Sequence, residues 1–131
     1  MARVMAAVRP ECRSLLGRIF ETHEIIFVET MSNAEEVLLA ESLGMVICSL
    51  LFDDSRMFEL LRLCKESDSL KHLPFVCFKA SAAELSPFPV VLEGVTIAAN
   101  VLGASAFLDL DEQTVEDARE VIEQLLTVKE K

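Results

Sequence analysis

The stretch MVICSLLFDDSRMFELL, residues 45–61, carries the reading of the fold. It begins as an unbroken apolar run, the pattern of a parallel strand covered on both faces. It breaks into a charged loop over residues 52–56 and resumes as an amphipathic helix with Met57, Leu60, Leu61 and Cys64 on one face. A strand that ends in a loop feeding a helix has the shape of a strand-end active site.

The same unit recurs on either side. The first strand spans 3–8, and Pro10 opens a helix in which Cys12, Leu15, Leu16, Ile19 and Phe20 follow the spacing of one buried face. A second strand spans 24–29. Ser32-Asn33-Ala34-Glu35 is a capping box, which starts the second helix near Asn33 and leaves it to end around Gly44. Strand three spans 45–50, and strand four 74–79. The polar stretch ASAAELSPFP follows, then a helix over about 90–102 and a fifth strand at 106–109. Asp111 and Thr114 are caps for a last helix whose residues Val115, Ala118, Ile122, Leu125 and Leu126 face inward. Alternating strands and helices with short punctuation require an α/β, doubly wound parallel sheet. The chain reads as one domain over 1–131, with 128–131 a frayed tail.

The composition narrows the function classes. At 131 residues the chain is long enough to bury a core. A formal charge of −10 without a Lys/Arg cluster repels phosphate backbones and anionic lipid, so neither nucleic acid nor a membrane surface is an expected partner. The apolar run near the N-terminus is too short for a signal peptide, and FPVVLEGVTIAANVLG is interrupted by Glu93 and Asn100, so a cytoplasmic protein is expected. The four cysteines, Cys12, Cys48, Cys64 and Cys77, have no metal-ligand spacing and read as core residues. His23 and His72 read as surface or element-end residues without a partner.

Register then adds a family resemblance over nearly the whole chain. Ala6-Ala7-Val8-Arg9-Pro10, the strand-loop-helix at 45–61, LPFVCFKA (73–80) and Gly103-Ala104-Ser105-Ala106-Phe107-Leu108-Asp109-Leu110-Asp111 resemble the receiver domains of two-component response regulators. The resemblance implies a five-stranded, flavodoxin-like receiver architecture with strand order 2-1-3-4-5. It also shows what has changed. The paired acids after strand one are Ala7 and Val8, the phospho-accepting aspartate is Ser49, Lys79 occupies the small-hydroxyl slot of strand four, and Leu110 and Asp111 replace lysine and proline. Receivers hold magnesium with the strand-one acids and the acceptor carboxylate; two of those ligands are apolar here and the third is a neutral hydroxyl. No metal or other cofactor is therefore expected, and no catalytic residue. Asp53, Asp54 and Asp111 read as a solvated rim. Ser49 reads as a hydroxyl capping the turn, and Lys79 as a lysine snorkelling to the rim, its ammonium near Asp53 or Asp111.

The resemblance therefore implies a pseudo-receiver: a non-phosphorylatable, non-enzymatic protein-interaction module of two-component or phosphorelay signalling. Two alternatives remain open, a phospho-switch modified on Ser49 by a serine kinase and a small flavodoxin-like ligand binder. Receivers dimerise or dock partners through helix four, strand five and helix five, which places an interaction face at Leu92, Ile97, Phe107 and Val115. Around helix four, Glu93, Thr96 and Asn100 form one polar stripe, and Val91, Gly94, Ala98 and Val101 fall opposite it, toward the sheet. Leu92 and Ile97 are left as flanks for a homodimer or a protein partner, or for the ASAAELSPFP loop.

Overall fold

The computed structural model describes residues 2–80 and 92–129. Residues 81–91, which hold the ASAAELSPFP loop beyond Ala80, lie outside them, as does the side chain of Leu92. Five parallel strands, β1 (Arg3–Ala7), β2 (Glu24–Val28), β3 (Met45–Ser49), β4 (Phe75–Lys79) and β5 (Ala106–Asp109), form one sheet in the order β2-β1-β3-β4-β5. Their runs are apolar because helices cover both faces; every residue of β3 and β4 is buried. The outermost strands β2 and β5 are only partly buried.

The main helices are α1 (Arg13–Ile19), α2 (Met31–Ala40), α3 (Met57–Glu66), α4 (Leu92–Val101) and α5 (Val115–Lys129), with a 3-10 turn at Pro10–Cys12 leading into α1. α5 runs on into the segment read as a tail. One face of the sheet packs Met5, Val46, Cys48 and Cys77 against Ala34 and Leu38 of α2, Leu60 and Leu61 of α3, and Val95 and Ala99 of α4. The other packs Val4, Ile47, Val76 and Phe78 against Leu16 and Ile19 of α1 and Ala118 and Ile122 of α5. The face expected for α3, Met57, Leu60, Leu61 and Cys64, is buried in full.

Four local expectations are corrected. The N-cap of α2 is Thr30, whose Oγ1 accepts the backbone N–H of Asn33 at 3.1 Å, so the helix begins at Met31 and the Ser32 box does not form. Met31 is itself buried, and core packing draws the helix start toward it. The helix also stops at Ala40, with Glu41 back in extended conformation. In α5 it is Thr114 that caps, accepting from the Asp117 N–H at 3.1 Å. His23 has partners: Nδ1 accepts the Ala2 N–H at 2.9 Å, and Nε2 meets the Glu123 carboxylate. His72 is exposed.

α4 is rotated from the orientation its sequence predicts. Val95 and Ala99 face the sheet, while Gly94 is exposed and Val101 is 79% exposed. A helix with only Glu93 charged gives periodicity little polar contrast, so the tertiary fit decides which stripe is buried. α4 ends at Gly103, whose φ of +102° is the left-handed conformation that glycine supplies without a steric penalty. The Ala104 N–H reaches back to the Ala99 carbonyl at 2.9 Å, closing the helix.

All four cysteines are free and buried. Burial raises the Cys64 thiol from the usual 9.0 to about 11 and Cys77 to about 12; Cys48 is also raised well above it, by burial and then by Cys77 and Cys64. Buried thiols of raised pKa are poor nucleophiles. The linkage has a definite sign. Above the unfolded value the unfolded chain releases thiol protons that the native chain keeps, so stability is full below about pH 9 and falls as the pH rises, by up to about 1.4 kcal/mol per pH unit for each thiol. Urea titrations at neutral and alkaline pH should show this fall, and Cys77→Ala should reduce its slope.

Candidate functional site

The carboxyl ends of the strands converge on one rim. At the end of β1, Ala7 and Val8 are buried hydrocarbon, and the Val8 N–H continues the ladder to the Val28 carbonyl at 3.1 Å. At the end of β3, Ser49 is 0% exposed, and its Oγ has no hydrogen-bond partner among the described residues. The expectation of a turn-capping hydroxyl is overturned. The turn is closed by other groups: Phe52 is buried as an anchor, and the Arg56 N–H bonds the Phe52 carbonyl at 2.7 Å.

Between these anchors Asp53, Asp54 and Ser55 have φ of 41°, 61° and 68°, three consecutive left-handed residues without a glycine. Aspartate tolerates this conformation better than most residues, and serine less so. Side-chain bonds hold the loop there. Asp53 Oδ2 accepts the Met31 N–H at 2.8 Å and the Arg56 guanidinium at 3.3 Å, pinning the loop to the start of α2. An open cleft of about 400 Å³ lies above, lined by Arg9, Glu29, Leu51, Asp53 and Asp54 among others. The buried Ser49 does not line it.

Lys79, at the end of β4, is 4% exposed. It does not snorkel, and of the two carboxylates expected near its ammonium, Asp111 is found there and Asp53 is not. Its register partner is Asp109, and Nζ lies 3.2 Å from Asp109 Oδ1 and 4.0 Å from Asp111 Oδ2. Asp109 is further fixed, since its Oδ1 accepts the Asp111 N–H at 3.2 Å and its own N–H donates to Gln113 Oε1 at 2.9 Å. Leu110 is half-buried against the α1/α5 face, its N–H bonded to the Lys79 carbonyl at 2.9 Å. Asp109 is the residue that sequence reasoning missed. Lys79 and Asp109 are each the last residue of their strand, and an in-register parallel pairing was the signal that joins them.

Of the interaction residues, Ile97 is 56% exposed on the outer side of α4. Phe107 is half-buried against the α2–α4 face of the core, and Val115 against the other face. The rim does not bring these two together with the Ser49 and Lys79 positions.

Chains of known structure share this arrangement. A response-regulator candidate from Chloroflexus aurantiacus superposes with a TM-score of 0.80 at 13% identity, over 96% of this chain and 98% of that one. NtrX from Brucella abortus gives 0.77 at 18% identity, over 98% of this chain and 28% of NtrX, so the chain spans under a third of that protein. The receiver domain of the Pseudomonas aeruginosa sensor histidine kinase PA1611, whose structure has magnesium coordinated in its active-site cleft, gives 0.75 at 8% identity, over 96% and 98%. The chain has the receiver fold of response regulators. No protein-family model and no curated protein sequence matches it.

The residues of this receiver fold do not fit magnesium at the strand ends. Ala7 and Val8 offer no oxygen, Ser49 is a neutral hydroxyl, and among the described residues no three His, Cys, Asp or Glu side chains are grouped to hold a metal. Of the carboxylates at the rim, Asp53 and Asp109 are already engaged by Arg56 and Lys79. A buried hydroxyl without a partner forfeits its hydration, which costs about 1–3 kcal/mol. Ser49→Ala is therefore expected to leave the fold intact and raise the melting temperature by a few degrees. A loss of stability in this variant would show that the hydroxyl has a partner.

Proposed function

We propose that this chain is a single receiver-like domain acting as a non-enzymatic protein-interaction module in cytoplasmic response-regulator signalling, one that takes no phosphate. The observation that carries the reading is the chemistry of the strand-end residues, which leaves neither a free carboxylate at the acceptor position nor an unpaired ammonium at the end of β4. Acyl phosphate formation requires an attacking carboxylate and free positive charge for the developing negative charge. Here the attacking position is a buried serine, and the nearby ammonium is held by Asp109. The serine-kinase reading is weakened by the same burial, because a kinase needs the hydroxyl in an exposed, extended segment. The ligand-binder reading meets an open cleft of mixed charge without a glycine-rich phosphate turn. Among the described residues no helix is long and apolar enough to cross a membrane.

The interaction surface in this proposal is α4, bordered by β5 and α5. Ile97 and Val101, at 56% and 79% exposure, stand on a helix whose single charge is Glu93. Adjacent large apolar side chains facing water mark a contact surface. A second copy suits it, because Glu93 is the single carboxylate that α4 itself would bring to an apolar contact between two copies. With magnesium and acetyl phosphate the intact mass should not change, and no beryllofluoride complex should form; stoichiometric phosphorylation at any rim residue would overturn the reading. Sedimentation should show a dimer that Ile97→Glu or Val101→Glu dissociates, with a native circular dichroism spectrum. A monomer unaffected by either substitution would remove α4 from the proposal.

A further inference from the structure

A second surface lies on the same side of the sheet, between α2 and α3. Met31 forms part of its floor, Phe58 and Leu63 are half-buried in its wall, and Glu35, Glu59 and Glu66 stand along it with Arg62 in a groove of about 490 Å³. Leu39 is 89% exposed, and as the residue four after Glu35 it extends the groove along the same stripe of α2. No other large apolar side chain among the described residues is as exposed. Core packing does not explain it, since Leu38 is the residue that α2 buries at this level.

The charge around the groove selects its occupant. α2 carries Glu35 and Glu36 and no basic residue, and neither glutamate has an ion-pair partner among the described residues. On α3, Arg62 reaches Glu66 only at 3.6 Å and with both groups exposed, a pair that contributes little and exchanges readily. Glu59 is held by Arg56. A second copy of this chain would set acidic groove against acidic surface. We infer that the α2–α3 groove docks a basic amphipathic helix of another protein, with apolar residues at helical spacing on Leu39, Phe58 and Leu63 and Lys or Arg side chains on Glu35, Glu36 and Glu66. This is the helix-in-groove mode of recognition, in which apolar anchors supply affinity and charge supplies orientation and rate. The groove is separate from the outer face of α4, so the chain would join two partners of unlike chemistry.

The probe is a fluorescein-labelled Leu/Lys amphipathic helical peptide, titrated into the full chain by anisotropy and mapped by amide chemical shifts. A control peptide of the same composition has its leucines scattered around the helix. The amphipathic peptide is expected to bind saturably, to weaken with added salt, and to shift amides of α2 and α3. Leu39→Ser and Glu35→Lys, both at exposed positions that leave the core alone, should each weaken it by about tenfold, while Ile97→Glu should not. Equal binding of the scattered peptide would show charge attraction alone. That result, shifts centred on another face, or absence of binding would each overturn the inference. None of these outcomes bears on whether the strand-end rim takes phosphate.

Discussion

Asp109→Leu is expected to destabilise the protein by about 3–5 kcal/mol, the range for leaving a buried charge without its partner. Lys79 is 4% exposed, and without Asp109 its nearest carboxylate is Asp111, 4.0 Å away on the rim. The reverse variant should cost less. In Lys79→Met the remaining carboxylate keeps the Asp111 N–H as a donor and is nearer water, at 19% side-chain exposure against 5% for the lysine. The double variant replaces the pair by hydrocarbon of similar volume and should recover most of the loss, because attraction between buried ions only partly offsets their desolvation. Urea denaturation of all four proteins, treated as a double-mutant cycle, measures the coupling. A loss below about 1 kcal/mol for Asp109→Leu would place the pair with solvated surface ion pairs and remove it as the lock on the rim.

The sheet and most of its helices were legible in the sequence because their signal is strong and repeated. Strands buried on both faces carry almost no charge, Lys79 at the end of β4 being an exception, and α3 sets four core residues at helical spacing against a polar opposite face, so hydrophobic periodicity locates them. The signal failed where the contrast was low or the alternatives lay close together. α4 is apolar nearly all round, and its orientation is settled by which residues fit between α3 and β5. Thr30 and Ser32 are both good caps two residues apart, and the burial of Met31 decides between them. At the site, the residue types could be read from register, which identified Ser49 and Lys79 as departures. Of the carboxylates around Lys79, Asp111 was expected and Asp109 was not. Whether a strand-end lysine bends to a loop carboxylate or pairs across the ladder depends on side-chain geometry, and so does the isolation of the Ser49 hydroxyl.

The proposal that this chain takes no phosphate is tested further by Ser49→Asp, which is expected to destabilise the protein by about 3–5 kcal/mol at neutral pH and to gain no phosphorylation. The position is 0% exposed, the serine hydroxyl finds no partner among the described residues, and the Lys79 ammonium is committed to Asp109. Desolvation favours the protonated carboxyl, which raises its folded-state pKa above the unfolded value. The variant should therefore approach wild-type stability in acid, below about pH 4, and lose it progressively as the pH rises through the raised value. Adding Asp109→Asn releases the lysine and should return part of the stability at neutral pH, which separates a shortage of cation from a shortage of space. Even this double variant should gain no mass from acetyl phosphate and magnesium, because Ala7 and Val8 still present hydrocarbon where a hard cation needs oxygen. A stable Ser49→Asp protein that accepts an alkali-labile phosphate would show that the rim lacks a single residue. The expected failure of both variants would show that the lock between β4 and β5 and the apolar end of β1 exclude the reaction together.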